Sequence, residues 1–215
     1  MLRCKVLTRF TSPDQLRNIV LIEEQMDAWG IFNIYARRGL LTIVGKESGF
    51  IPKSEYSYKG TPNNRLRSLF GSKLSKYSEE ALTELKRNDV AFYEAIYGGR
   101  YGNKEYGDGY KYRGRGFNQN TFKSLYEKLS QALNLDLVSS PDLMNTPEVA
   151  AMAYMYFISN RFKTIPKDMS VRNINGFTDL DSAVYTIFRA NAGWLNTPTK
   201  EGLERAYTFS KLFIY

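Results

Sequence analysis

Leu16, Ile19, Val20, Met26 and Trp29 recur at three- and four-residue spacing, the period of one helical face. Ser12-Pro13-Asp14-Gln15 supplies the start signals: Ser12 as N-cap, Pro13 in the first turn and Gln15 closing a capping box. Gly30 is placed to end the element in a left-handed conformation, so the spacing predicts a helix from about Pro13 to Trp29. Asn33 can cap a second helix, Ile34 to about Lys46, whose Leu40, Leu41, Ile43 and Val44 form the most continuous apolar surface in this half. Glu47 falls at its C-terminal end.

From Ser48 to Asn64 the period is lost among Gly, Pro, Ser and Tyr, which predicts an ordered loop. Short helices are expected over Arg65 to Leu74, from Ser78 to Arg87 and over Asp89 to Tyr97. Gly98 to Gly116 holds seven glycines interleaved with Tyr and Arg, a composition for tight turns or a short β-hairpin. Helical spacing resumes over Thr121 to Leu133, from Thr146-Pro147 to about Asn160, over Asp179 to Ala190 and over Lys200 to Phe213. The fold class expected is mainly α. No internal repeat, low-complexity tract or long linker forces a boundary, so residues 1–215 read as one unit with no separate binding domain.

At 215 residues, with 43% apolar and 24% charged positions, the chain can bury a substantial core, and disorder, collagen-like repetition and a coiled-coil rod are disfavoured. No stretch approaches the roughly 20 apolar residues of a membrane span, and MLRCKVLTRFTSPD lacks the apolar region of a secretory signal. Synthesis and folding in the cytosol are the expectation. The chain has no histidine, which excludes Ser-His-Asp and Cys-His catalysis and the usual His-containing zinc sites. Carboxylates must therefore do any acid/base work, and no metal or cofactor is expected. Cys4 is alone and reads as a plain residue. A net charge of +8, spread without a run of five like charges, suits attraction to nucleic acid, anionic lipid or an anionic cell wall, or simply a solvated basic surface.

Candidate chemistry gathers at Gly45-Lys46-Glu47-Ser48-Gly49-Phe50, at the glycine-rich stretch and at Asn118-Gln119-Asn120-Thr121. A Glu leaving an apolar helix beside Phe50 can be partly desolvated, and a helix C-terminus disfavours the anion; both raise a carboxyl pKa toward a general acid's range. The alternative is an exposed residue or an ion pair with Lys46 or an Arg. A glycosidase normally needs a second carboxylate, roughly 6.5–9.5 Å from the first for inversion or about 5–5.5 Å for retention. Glu55 is a candidate, while Glu79, Glu80 and Glu84 read as the solvated face of a helix. Tyrosines offer flat faces to sugar rings. Arg113 and Arg115 either contact substrate or brace the loop through Asp108 and Glu side chains, and Trp29 and Trp194 read as packed residues.

Taken in order, Glu47-Ser48-Gly49-Phe50, Ser54-Glu55 with Tyr58, Tyr97-Gly98-Gly99-Arg100-Tyr101-Gly102-Asn103, Gly107-Asp108-Gly109-Tyr110-Lys111-Tyr112-Arg113-Gly114-Arg115-Gly116, and Gln119 with Thr121 resemble glycoside hydrolase family 19. The likeness is to its bacteriophage endolysin branch, lysozyme-like relatives of the chitinases, and it extends through Ser140-Pro141-Asp142-Leu143 and Pro147-Glu148-Val149 to the terminal helices. The resemblance implies a two-lobed, lysozyme-like helical fold with the Gly/Tyr-rich loop beside a cleft, forming a single catalytic domain that cleaves β-1,4 bonds between N-acetylated amino sugars. It places the general acid at Glu47, the second carboxylate at Glu55 and the water-holding hydroxyl at Thr121. Substrate binding falls to Tyr97, Tyr112, Arg113, Arg115, Gln119 and Asn191.

Lys46 stands where the family has His, Asn118 and Asn120 replace apolar residues, and Ala192 replaces a Gly, departures that bear mainly on substrate preference. The implied protein is a monomeric peptidoglycan hydrolase of endolysin type. It acts on glycan strands at an anionic wall and has no nucleic-acid partner and no transmembrane segment. It would wait in the host bacterial cytoplasm until the membrane is permeabilised, or travel with the phage particle. The competing expectations are a chitinase, a non-catalytic wall-binding module and a basic single-strand nucleic-acid binder in which tyrosines stack on bases.

Overall fold

A computed structural model describes residues 3–6 and 12–215. Residues 1–2 and 7–11, which fall in the opening segment searched for a secretory signal, lie outside the described residues. The chain is mainly helical, with ten α-helices and two short strands among the described residues. It divides into two compact units. One comprises Met1–Lys53, Gly116–Asn118 and Met144–Tyr215; the other comprises Ser54–Arg115 and Gln119–Leu143.

The first unit holds β1 (Lys5–Val6), α1 (Pro13–Ala28) and α2 (Ile34–Ser48), then, later in the chain, α8 (Pro147–Phe162), α9 (Leu180–Ala192), α10 (Lys200–Ser210) and β2 (Phe213–Ile214). The α1 capping box forms as the sequence predicts: the Gln15 N–H donates to Ser12 Oγ at 3.3 Å, and the Ser12 N–H donates to Gln15 Oε1 at 2.7 Å. Asn33 Oδ1 caps α2 through the Ala36 N–H, and Gly49 ends that helix in the left-handed region at φ +61°.

Most of α2 is buried, which is why its apolar positions run nearly all round. Two glycines let its neighbours approach. A Cβ on Gly39 would lie 2.8 Å from Ile187 of α9, and one on Gly45 would lie 2.5 Å from the Phe209 ring and 2.8 Å from Phe50. Ile19, Ile22 and Met26 of α1 share this core with Ala150, Ala151, Tyr154 and Met155 of α8. Replacing Gly45 with Ala should lower stability by about 1–3 kcal/mol, because overpacking two rings outweighs the ~1 kcal/mol that Ala gains in helix propensity. Thermal unfolding measures the sign; a raised melting temperature would mean the rings give way freely.

The sequence predicts that α10 continues to Phe213, since Phe209, Leu212 and Phe213 keep helical spacing. The helix instead ends at Ser210. Phe213, fully buried and 5.7 Å edge-to-face from Phe50, lies in β2, which pairs antiparallel with β1 (Lys5 opposite Ile214, Val6 opposite Phe213). Local spacing cannot anticipate a pairing between residues some 200 positions apart.

The second unit contains α3 (Asn63–Phe70), α4 (Glu79–Leu85), α5 (Asp89–Tyr97), α6 (Asp108–Lys111) and α7 (Lys123–Leu133). Its core is aromatic: Tyr58 packs 5.2 Å from Phe70 and 5.3 Å from Phe92, over buried Leu66, Leu74 and Leu82. Of the two forms expected for Gly98–Gly116, the structure shows the loop, with one helical turn, α6, set into it. Glu94 on α5 accepts the Gly107 and Gly109 N–H groups at 3.1 and 3.2 Å, and Asp108 accepts those of Lys104 and Glu105. Gly109 must be a glycine, because a Cβ there would lie 2.5 Å from the Tyr93 carbonyl oxygen. The strand-like contact in this region is a single antiparallel bridge between Arg115 and Asn120. No helix among the described residues is long and apolar enough to cross a membrane.

Candidate active site

Glu55 lies in the loop preceding α3, and three donors converge on its half-buried carboxylate. Tyr58 donates its hydroxyl to Oε1 at 2.6 Å, the Tyr97 hydroxyl reaches both oxygens at 3.1 and 3.2 Å, and the Gly114 N–H meets Oε2 at 3.3 Å. The backbone is fixed as well: the Glu55 N–H donates to the Gly114 carbonyl at 2.8 Å, and Arg113 Nε donates to the Glu55 carbonyl at 3.4 Å. Arg113 itself stacks 4.1 Å from the centre of the Tyr110 ring. Burial first, and then the Glu55 charge, push the Tyr58 and Tyr97 hydroxyls well above the usual tyrosine range, so both remain donors.

Gly114 is a constraint of this site. A Cβ on it would lie 2.7 Å from Gln119 Oε1 and 3.3 Å from Glu55 Oε2, so the missing side chain leaves room for both groups. Gln119 is held at φ +55°, a conformation uncommon for a residue with a side chain, and its carbonyl accepts the Thr121 hydroxyl at 2.9 Å. The second unit thus brings together five of the residues singled out from sequence: Glu55, Tyr97, Arg113, Gln119 and Thr121. Sequence reading missed Gly114 as the hub and Tyr58 as a ligand of the carboxylate. The three-residue spacing from Glu55 to Tyr58 was the available signal.

Two expectations for this unit are corrected. Tyr112 is 1% exposed, its ring packs 5.3 Å from Tyr126 and its hydroxyl donates to the Val138 carbonyl, so it offers no face to a ligand. Arg115, 2% exposed, braces the loop: Nε lies 2.7 Å from Asp142 Oδ1 and Nη1 donates to the Lys111 carbonyl at 2.7 Å. Its carboxylate is Asp142 and not the expected Asp108, which lies 3.5 Å from Lys123 Nζ.

In the first unit, Glu47 occupies the last turn of α2 with its side chain 27% exposed, and Lys46 Nζ is 2.6 Å from its Oε1. The ion-pair alternative raised by the sequence is therefore the arrangement found. The same ammonium lies 4.4 Å from the centre of the Phe188 ring on α9, so Lys46 is held on two sides. Burial, followed by the Glu47 charge, raises the pKa of the enclosed Tyr154 hydroxyl, which donates to the Leu40 carbonyl at 3.2 Å.

Asn191 sits near the end of α9, its Oδ1 buried without a hydrogen-bond partner among the described residues, and Gly193 follows as C-cap at φ +94°. Trp194 packs on Phe162 and donates Nε1 to the Arg161 carbonyl, as expected of a packed residue. Trp29, expected to pack, is 40% exposed at the end of α1.

No family model and no curated protein matches the chain. Among solved structures it is similar to chitinase C from Streptomyces griseus, with 14% identity, 94% of this chain and 68% of that chain covered, and a TM-score of 0.46. It is also similar to a chitinase C mutant, with 13% identity, coverage of 94% and 91%, and a TM-score of 0.46. A bacterial family 19 chitinase is similar at 16% identity, with coverage of 95% and 87% and a TM-score of 0.45.

Proposed function

We propose that this chain is a peptidoglycan hydrolase of endolysin type that cleaves β-1,4 bonds of the wall glycan, with Glu47 as general acid and Glu55 as the second carboxylate. The observation that carries the reading is the setting of Glu55. A carboxylate has about four acceptor positions. Tyr58, Tyr97 and the Gly114 N–H occupy three of them, which fixes the group and leaves one position for a water molecule. Gln119 and Thr121, tied to the same loop, supply further polar groups for that water or for a sugar.

The reaction requires Glu47 to take up a proton in place of its ion pair with Lys46; that proton goes to the glycosidic oxygen as the bond from that oxygen to the anomeric carbon breaks. Glu55 takes a proton from water as the water oxygen bonds to that carbon, which inverts its configuration. The net charge of +8 favours accumulation on an anionic wall.

The test is product analysis. Purified peptidoglycan and oligomers of N-acetylglucosamine are each digested, reduced with borohydride and read by mass spectrometry. New reducing ends from peptidoglycan are expected, with Glu55→Gln slower by about 10²–10⁴-fold. Cleavage of the oligomers alone would make the chain a chitinase, and no new ends from either substrate would overturn the reading. A Glu55→Gln rate within a few-fold of wild type would move the second role to another residue.

A further inference from the structure

The first unit contains a cavity of about 560 Å³ between α9, α10 and the segment before α9, within the ~300–1,000 Å³ usual for small-ligand sites. Neither Glu47 nor Lys46 lines it. Asp181, Ser182, Tyr185, Thr186 and Arg189 face it from α9, whereas Ala183 and Ile187 lie against Gly39 of α2. We infer that this cavity is a second saccharide-binding site, separate from the carboxylates assigned to catalysis.

Its lining selects the ligand class. Arg189, a donor, lies 3.4 Å from Asp168, an acceptor, and is itself held by the Trp194 carbonyl at 3.2 Å from Nε. Asp181 adds a second acceptor, and Ser170 and Ser182 pair their hydroxyls at 3.1 Å. Two carboxylates repel an anion, and the guanidinium beside one of them opposes a cation. Groups that both donate and accept, sugar hydroxyls and acetamides, satisfy both kinds of partner. Tyr185 and Tyr207 supply aromatic surface for ring C–H faces.

Thr186, 1% exposed as a residue, also lines the cavity and carries a hydroxyl donor. Burial first, and then the hydrogen bond to Asp181, push the Tyr207 hydroxyl up to about 12, so it too stays a neutral donor.

The experiment titrates the N-acetylglucosamine trimer into the full chain carrying Glu47→Gln and Glu55→Gln, by calorimetry. Thr186→Val, which keeps the side chain's shape, is expected to weaken one class of binding site about tenfold, and Tyr207→Ser to remove it, with circular dichroism unchanged for Thr186→Val. An isotherm that neither substitution alters would overturn the site. Saturable binding of ethylammonium at this cavity without binding of the trimer would overturn the ligand class. The trimer is recovered after the titration and read by mass spectrometry, so that cleavage, which would reveal a wrong assignment of Glu47 or Glu55, is told apart from binding at this cavity.

Discussion

Wall lysis should disappear when Glu47 is replaced by glutamine, with turbidity clearance slowed by about 10²–10⁴-fold, the range a positioned proton donor contributes. The carboxamide keeps the volume and an oxygen that can accept from Lys46, but it has no proton of the required acidity. Stability should hold, because the pair it alters is partly exposed, at 16% for the Lys46 side chain and 27% for Glu47, and such pairs contribute about 0–1 kcal/mol. A rate lost without a shift in melting temperature is therefore the expected signature. Glu47→Asp sharpens it: the acid remains but retreats by one methylene, and a displacement near 1 Å can itself cost about 10²-fold. Full lysis by Glu47→Gln would remove the residue from the chemistry and leave the Lys46 pair as a structural feature at the end of α2.

The interest of Lys46 is that it stands where the resemblance calls for His. A lysine in that place puts an ammonium 2.6 Å from the proposed acid and rests it on Phe188. Any proton delivered from Glu47 is delivered beside a fixed positive charge, and substrate must approach a carboxyl already engaged. The sequence showed the substitution; only the α9 ring behind it explains why the ammonium is fixed there.

Elements governed by local rules were legible in advance. The Ser12–Gln15 capping box, the Asn33 cap and the left-handed end at Gly30 follow from short-range geometry, which a window of a few residues contains. What depends on distant partners was not. The turn α6 forms inside a glycine-rich stretch because Glu94, thirteen residues before Gly107, supplies its carboxylate. The tyrosines of that stretch look alike in sequence, yet Tyr112 is enclosed and Tyr106 is 75% exposed, a difference set by which neighbours fold over each. Glu55 was legible as a candidate, but its donors arrive from three segments, at Tyr58, Tyr97 and Gly114.

Arg37 shows how a pattern can be present and go unread. It precedes Leu40, Leu41 and Val44 by three, four and seven residues, which puts it on the apolar side of α2, and Glu23 keeps the same spacing to Ile19 and Met26 on α1. Fully buried, Arg37 sets Nη1 at 2.6 Å from Asp27, donates to the Ile31 carbonyl at 3.0 Å and sets Nη2 at 3.4 Å from Glu23. Glu23 Oε1 also accepts the Cys4 N–H at 3.0 Å and the Tyr215 hydroxyl at 2.8 Å, which joins the residues flanking β1 and β2 to the helices. Burial, ahead of the Glu23 charge, pushes the Cys4 thiol up to about 12, so that cysteine stays neutral and packed.

Replacing Arg37 with Met leaves two interior carboxylates facing an apolar side chain. The loss should be about 3–5 kcal/mol, the scale for removing one partner of a buried pair, and for a chain of this size the melting temperature should fall by on the order of 10 °C. Urea unfolding of the variant measures it. Adding Glu23→Gln and Asp27→Asn to Arg37→Met should restore part of the loss, since neutral amides tolerate an interior without a cation. A single substitution costing under about 1 kcal/mol would mean that water reaches this network.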